Sequence, residues 1–162
     1  MQYQLLYISR ASDNMSDDSL IDLMSTCSSF NKDNNITGML LYINNKFIQV
    51  LEGDKNKVNE LIDNIRKDSR NNDLYILRQS DVENKEFNDW SMGVKLSDDN
   101  KASSDLVDIE NTDAIKKLLS GDSAAKQMLL TFYLAQTWFK SAYKVIFLLN
   151  LICAYYNAIS KI

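Results

Sequence analysis

Gln49 is the residue whose chemistry is least expected from its surroundings. It lies within the run Lys46–Gly53, which otherwise has the character of a buried β-strand. A buried primary amide needs partners, because leaving it unpaired costs about 1–3 kcal/mol. Its oxygen accepts and its nitrogen donates, so an amide that rotates between two sets of partners is a two-state switch. Gln49 is therefore either a core amide satisfied by nearby backbone or such a switch.

The residues that the sequence lacks exclude several common active sites. There is no His, so neither a Ser-His-Asp triad nor a His-ligated metal site can form. The two cysteines, Cys27 and Cys153, are too few for a zinc site, and they fit a reduced, cytoplasmic chain better than a disulfide framework. No Gly-rich phosphate loop of the P-loop or Rossmann kind is present. The sequence predicts no metal centre and no ordinary hydrolase or dehydrogenase.

Length and charge indicate one domain with an appendage. The chain has 162 residues, of which 45% are hydrophobic and 25% charged. Residues 1–100 carry 11 Lys/Arg and 17 Asp/Glu, a balance that argues against binding of nucleic acid there. Residues 123–162 carry four lysines and no acidic residue. These lysines form either a solvated stripe or a docking face for an acidic partner.

The order of predicted elements indicates an α+β fold. Ser16 and Asp54 have the residue type of helix N-caps, and each precedes apolar residues at helical spacing. The first helix continues through Cys27. The resulting order β-α-β-β-α-β-β is the ferredoxin-like split arrangement with one added strand, and its two helices should cover one face of the sheet. The predicted strands are Tyr3–Ser9, Ile36–Ile43, Phe47–Leu51, Leu74–Leu77 and Ser91–Leu96.

Six short segments occur in order along residues 1–97. They are Leu6–Arg10, Asn31, Ile36–Tyr42, Phe47–Gly53, Asp68–Arg70 and Phe87–Gly93. Each is weak alone, but the ordered set on these elements resembles the BLUF domain, the family of blue-light sensors that use FAD. The resemblance implies that FAD is held non-covalently between the two helices.

The resemblance also implies a photochemical role for two residues, Tyr7 and Gln49. Excited flavin would take an electron and then a proton from Tyr7. Gln49 would then be left with different hydrogen bonds, by rotation or tautomerisation, and the absorption would be slightly red-shifted until thermal reversion. A phenol can give both an electron and its proton, and a neutral amide can present either its donor or its acceptor to the ring.

Other site residues follow from the same resemblance. It implies that Asn31 bonds the flavin edge, that Leu23 and Ile65 sandwich the ring, and that Arg70 lies near the pyrimidine end. Without it, Asn31 would be interpreted as a helix C-cap, the two apolar residues as ordinary core and Arg70 as a solvated loop residue. Trp90 and Met92 match the fifth-strand pair that passes the signal outward. The sequence does not decide which of the two is nearer the flavin.

The sequence departs from the family pattern at three positions. Phe30 stands where a second Asn is common, and Asn64 replaces a basic residue, with Arg66 close by. Asn71 replaces the His that often follows the Asp-x-Arg motif. These departures concern the ribityl and phosphate contacts and do not affect the Tyr7–Gln49 pair.

Residues 98–162 are predicted to be a helical extension. A polar linker over 97–104 precedes a helix over Asp105–Ser120 and a longer helix from about Ser123. A membrane span is disfavoured, because the charge-free stretch between Lys144 and Lys161 is shorter than the ~20 residues that a span needs. In the longer helix, apolar or small residues recur at heptad-like spacing, and such a helix must bury its surface on the sheet, on its neighbour or on a second subunit. The seam consists of Met128, Phe132, Ala135, Phe139, Ala142, Ile146, Leu149, Cys153 and Tyr156.

Taken together, these features predict a non-enzymatic, cytoplasmic FAD photosensor with a sensor domain over 1–97 and an extension over 98–162. It would signal through its fifth strand and C-terminal helices to a homo-oligomer or a downstream signalling protein. One alternative is a flavin-binding protein without productive photochemistry. Another is a small hydrolase of the acylphosphatase type, which is disfavoured because no catalytic arginine–asparagine loop signature is present.

Overall fold

A computed structural model describes residues 1–95 and 105–137. The described part is a six-stranded sheet with helices on both faces, and its strand order is β4-β1-β3-β2-β5-β6. In chain order the elements are β1 (Gln2–Ala11), α1 (Asp17–Asp33), β2 (Thr37–Ile43), β3 (Lys46–Gly53), α2 (Lys55–Lys67), β4 (Asn71–Val82), β5 (Trp90–Val94), β6 (Leu106–Asp108), α3 (Thr112–Leu118) and α4, which is helical over residues 124–137.

The predicted ferredoxin-like arrangement is confirmed. β4, β1, β3 and β2 pair antiparallel, and β5 then joins β2 in parallel. Ser16 caps α1 by accepting a hydrogen bond from the Ser19 N–H at 3.3 Å. Asp54 caps α2 by accepting from Asn56 N at 2.9 Å and from Lys57 N at 3.2 Å. Both helices therefore begin where a short polar side chain satisfies otherwise unpaired N–H groups.

The prediction of a helix over Asp105–Ser120 is wrong in its first part. Leu106–Asp108 forms β6, which pairs in parallel with β5 so that Leu106 lies opposite Met92. Helix α3 begins only at Thr112, because Asn111 accepts from the Ala114 N–H at 3.1 Å and caps it there. The open edge of β5 offers unpaired backbone groups, and pairing with them outweighs the helical preference of this segment.

β4 is also longer than the predicted Leu74–Leu77. It extends over Asn71–Val82 because it pairs along almost all of β1, with register shifts between Leu6 and Tyr7 and between Ile8 and Arg10. All twelve of its residues are exposed or half-buried, and the ends of this edge strand lack a hydrophobic pattern.

The two faces of the sheet are covered by different parts of the chain. α1 and α2 cover one face. α3 and α4 cover the other, where Ile115, Leu119, Ala125, Leu129 and Tyr133 pack against the sheet residues Leu6, Met39, Leu41, Ile43, Ile48 and Val50. Residues spaced by two along a strand face the same side, so β1, β2 and β3 supply apolar side chains to both layers.

In α4 the buried row is Ala125, Leu129 and Tyr133, which are 0–1% exposed. The predicted seam residues Met128 and Phe132 lie beside this row and are only partly buried. The remainder of the seam, from Phe139 onward, lies outside the described residues, as does the predicted linker over 97–104 and the end of the predicted fifth strand at Leu96. Among the described residues, none of the helices has the length and apolar character needed to cross a membrane.

Gly38 offers a test of how closely β2 and β3 approach each other. Its φ is +144°, and a Cβ there would overlap the Val50 carbonyl oxygen. We expect Gly38→Ala to lower the free energy of unfolding by about 3 kcal/mol or more, because strain and clash combine. Gly121→Ala is the matched control, since φ is +123° but the nearest atom is the Lys126 Cδ at 4.0 Å. It should cost only about 1 kcal/mol. Equal losses in urea unfolding would contradict the close approach.

Candidate functional site

The site is centred on a hydrogen bond between two neighbouring inner strands of the sheet, β1 and β3. Tyr7 in β1 lies directly opposite Gln49 in β3, and the Tyr7 hydroxyl donates to the Gln49 Oε1 at 2.7 Å. Each of the two residues is only 3% exposed. Because the Gln49 oxygen is engaged by Tyr7, the two N–H groups of its amide are left to donate in another direction. Gln49 is thus a buried amide whose partner is a side chain rather than nearby backbone.

Tyr7 and Gln49 line a cavity of about 250 Å³ between the sheet and helices α1 and α2. The structure brings all six residues proposed to hold the cofactor to this one cavity: Tyr7, Leu23, Asn31, Gln49, Ile65 and Arg70. Leu23 and Ile65 come from α1 and α2 respectively, so apolar side chains stand on both helices. The volume is close to the lower end of the range for ligand pockets, which suits a ring system better than a whole dinucleotide.

Two buried amide oxygens at this cavity have no partner within the described residues. They are the Oδ1 atoms of Asn31 and Asn71. The Asn31 backbone carbonyl accepts from Ile36 N at 2.8 Å, which fixes the end of α1 to the start of β2. Asn71 Nδ2 donates to the Ile65 carbonyl at 3.2 Å. The helix C-cap is Asn34, not Asn31. Unpaired buried acceptors are costly, so this pair favours a ligand that brings N–H or O–H donors.

This donor and acceptor set fits a flavin ring. Apolar side chains from α1 and α2 can contact its faces, while the Gln49 N–H groups and the two asparagine oxygens can meet the acceptors and the imide donor at its edge. Apolar contacts and neutral hydrogen bonds would hold the ring.

Two titratable groups of the cavity, the Tyr7 phenol and the Cys27 thiol, are kept protonated by burial. Desolvation raises the pKa of the Tyr7 phenol well above its usual range, and nearby Cys27 and Asp68 reinforce this direction. Burial likewise raises the pKa of the Cys27 thiol to about 11, against an opposing effect of Arg70. Both groups are therefore neutral at physiological pH, and Tyr7 retains the proton of its hydrogen bond to Gln49.

Arg70 is engaged by a carboxylate at the edge of the site. Its guanidinium contacts Asp68 with Nη2–Oδ2 at 2.6 Å and Nε–Oδ1 at 3.0 Å. This pairing lowers the pKa of Asp68 and raises that of Arg70. The positive charge of Arg70 is thus largely compensated before any ligand binds, and its side chain is oriented by the pair.

Several lining residues were not predicted as site residues. Cys27 lies four residues after Leu23 and four before Asn31, so helical spacing alone places it on the same face of α1. Phe30, Asn64 and Asn71, the three departures from the family pattern, also line the cavity. Asn71 could not be found from periodicity, because it lies at the start of β4, where burial does not alternate.

Trp90 and Met92 do not line this cavity. Met92 lies opposite Leu40, and Leu40 lies opposite Gln49, so Met92 is two strands away from Gln49 in one cross-strand row. Trp90 pairs with Gly38 and lines a separate, wider cleft between α1, β5 and α3. The structure therefore places Trp90 and Met92 outside the cavity, on a strand that β2 separates from β3.

Cys27 provides a chemical test of the cavity. In a Cys153→Ser background, we expect iodoacetamide to react with Cys27 at pH 8 at least about tenfold more slowly than with a free thiol, because little thiolate is present. The rate should rise with pH towards the pKa of about 11. The same protein in urea should react at the rate of a free thiol. A rate that levels off near pH 8.5 in the folded protein would contradict the burial of this thiol.

Comparison with known proteins gives a consistent family assignment. Residues 2–93 match the family model described as sensors of blue-light using FAD, BLUF. The photoactivated adenylate cyclase subunit beta of Euglena gracilis is 35% identical over 89 residues, which are 54% of this chain and 10% of that protein. The chain thus spans about a tenth of the length of the curated relatives it matches.

Solved structures match over a larger share of the chain. BlrP1 of Klebsiella pneumoniae, in a structure with FMN and cyclic diGMP, is similar with 25% identity and a TM-score of 0.66, covering 82% of this chain and 34% of that one. A bacterial light-regulated adenylyl cyclase shares the fold at 22% identity and a TM-score of 0.60, covering 90% of this chain and 36% of that one.

Proposed function

Because this chain belongs to the BLUF family of blue-light sensors that use FAD, we propose that Tyr7 and Gln49 are its light-responsive pair. The observation that supports this assignment best is the buried hydrogen bond from the Tyr7 hydroxyl to the Gln49 oxygen, at 2.7 Å and on the wall of the cavity. Tyr7 would give an electron and a proton to the light-excited cofactor and then take both back, and Gln49 would be left with rearranged hydrogen bonds, which are the signal.

Different residues of the cavity would hold different parts of the cofactor. Leu23 and Ile65 would contact the faces of the ring and exclude water, and Asn31 would accept at its edge. Arg70 lines the same cavity and is paired with Asp68. When bound, FAD supplies the absorption of blue light and an excited state that accepts an electron. Asn71 is a second acceptor at the same cavity, and it stands at the position where the family pattern often has a histidine.

In the dark, the Tyr7 Oη holds its proton because burial disfavours the phenolate. Loss of that proton removes the donor that engages the Gln49 Oε1. The amide then gains by rotating, which turns its Nε2 towards the Tyr7 oxygen and its Oε1 towards the cavity. Each exchanged hydrogen bond is worth about 0.5–1.5 kcal/mol, enough to bias two states of a strand without unfolding it.

The signal leaves the site through the strands next to Gln49. Gln49, Leu40, Met92 and Leu106 form one cross-strand row through β3, β2, β5 and β6. Met92 is fully buried in this row, so a shift of β2 would displace its closely packed side chain. Trp90, on the same face of β5 one pair further along, is the second output residue.

The output is association rather than catalysis. Residues 1–97 are the sensor, and residues 98–162 carry the signal to a second copy of the chain or to a downstream signalling protein. The apolar surface of α4 supports this role, because Met128 and Phe132 are only partly buried and Leu134 is 37% exposed. The cyclase activity named for the Euglena relatives belongs to proteins about ten times longer than the matched segment.

The assignment of the switch is tested with two variants of similar bulk. Tyr7→Phe keeps the ring and removes the hydroxyl, and Gln49→Leu keeps a side chain that cannot hydrogen-bond. Both should retain flavin, and both should lose the reversible red-shifted state in absorption spectra taken before and after blue light. The wild-type protein is the control. If it binds flavin and shows no red-shifted state, the chain is a flavin protein without productive photochemistry, and an ordinary red shift in either variant would falsify the role of that residue.

The role of the extension is tested by removing residues 138–162. This truncation keeps the α4 residues Ala125, Leu129 and Tyr133 that cover the sheet, so the fold and the photocycle should persist. We expect the number of subunits to fall, as measured by size-exclusion chromatography with light scattering in the dark and under blue light. An unchanged assembly state in both conditions would show that the interface lies elsewhere.

A further inference from the structure

A fully buried carboxylate lies on the strand that carries Gln49. Glu52 is 0% exposed and stands three residues after Gln49 in β3, so it faces the opposite side of the sheet, towards α3 and α4. Within the described residues no lysine or arginine forms an ion pair with it. A buried charge without a counter-charge is stable only when it is fully hydrogen-bonded.

Three donors satisfy this carboxylate. Gln4 Nε2 in β1 donates to Oε1 at 2.8 Å, and the backbone N–H groups of Glu86 and Phe87 donate to Oε2 at 2.9 and 3.0 Å. Glu86 and Phe87 belong to the loop over residues 83–89 that joins β4 to β5. Glu52 therefore holds this loop on the face of β1 and β3 that α3 and α4 cover.

The same two loop residues hold the beginning of α4 with their side chains. The Glu86 carboxylate accepts a hydrogen bond from the Ser123 hydroxyl. Ser123 in turn caps α4, because its Oγ accepts from the Lys126 N–H at 3.1 Å. The Lys126 ammonium lies 5.3 Å from the centre of the Phe87 ring, and Phe87 is itself buried in the core formed with α3 and α4. A carboxylate beside a helix N-terminus is also favoured by the helix dipole.

We propose that Glu52 is a positioning residue that couples β3, the strand that carries Gln49, to helix α4. It does so by fixing the loop over residues 83–89, and this loop in turn fixes the N-terminus of α4. This inference rests on the proposed photoreceptor function. A displacement of β3 that follows rearrangement at Gln49 reaches Glu52 through three residues of one strand. It is then passed to α4 by the backbone of the loop and by the Glu86–Ser123 contact.

The coupling route differs from the β5 row in its residues and its direction. The row of Gln49, Leu40 and Met92 lies on the α1 face, whereas Glu52 acts on the opposite face. Glu52 is also absent from the cavity lining, so replacing it leaves the flavin contacts in place.

The experiment is hydrogen–deuterium exchange of residues 124–137 in the dark and under blue light, with the absorption spectrum recorded on the same sample. In the wild type, light should change the exchange of the first turns of α4. Glu52→Leu should keep the red-shifted state and lose the light–dark difference in α4. Glu52→Gln should retain the difference, because its amide oxygen can accept both loop N–H groups and its nitrogen can donate to the oxygen of a rotated Gln4 amide.

A second pair of variants tests the other end of the route without touching the sheet. Ser123→Asp keeps a good N-cap but cannot donate to Glu86 and places a like charge beside it, so the light–dark difference should be lost. Ser123→Thr keeps both the cap and the hydroxyl and should behave as the wild type. If Glu52→Leu does not fold, as judged by circular dichroism and bound flavin, the Ser123 pair decides alone.

The outcomes separate the two claims. A wild type without a red-shifted state overturns the proposed function. A normal red shift in the wild type with identical α4 exchange in dark and light overturns the coupling role of Glu52 and leaves the photoreceptor function intact. A full light–dark difference in folded Glu52→Leu or in Ser123→Asp also overturns the coupling role.

Discussion

The sheet depends on two buried side-chain hydrogen bonds between its neighbouring inner strands β1 and β3. β1 and β3 carry the Tyr7–Gln49 pair on one face and the Gln4–Glu52 pair on the other, in the same antiparallel ladder. Each such group would cost about 1–3 kcal/mol if left unpaired, so each of these pairs restricts the register of the sheet as strongly as the apolar residues around it. In a sheet with only a structural role, leucine or valine would be expected at these positions.

Neutrality is the second property of the site. Burial keeps the phenol of Tyr7 and the thiol of Cys27 protonated, and the Arg70 charge is compensated by Asp68. A cavity of this kind has hydrogen-bonding direction without a strong field. Under the proposed function, rearrangement of the Gln49 amide would then alter the environment of a bound ring.

Much of the fold could be predicted because local signals and tertiary packing agree. Ser16 and Asp54 cap the helices that their side chains predict, and the antiparallel strands follow the hydrophobic pattern. β6 could not be predicted, since three residues carry no period and its formation depends on the free edge of β5. The buried face of α4 was also missed, because apolar residues surround that helix and only the sheet selects the row of Ala125, Leu129 and Tyr133.

The cavity residues could be predicted from the sequence for a different reason. Leu23, Asn31, Gln49 and Arg70 could be placed through a resemblance in sequence motifs, and the structure brings them to one cavity. Cys27 lies at helical spacing between two of them and could have been named from that spacing alone. Asn71 could not, because its buried, unpaired acceptor arises only where the start of β4 meets the end of α2.

The placement of α3 and α4 on the second face of the sheet has a consequence for biosynthesis. During translation, the strands that carry Leu6, Met39 and Val50 leave the ribosome well before residues 112–137 that cover them. The sheet can therefore assemble while one apolar face is still exposed to water. In this state chaperones or other nascent chains can bind to it. Completion of this core waits for residues 112–137, so the chain is most vulnerable to aggregation in the interval before α3 and α4 emerge.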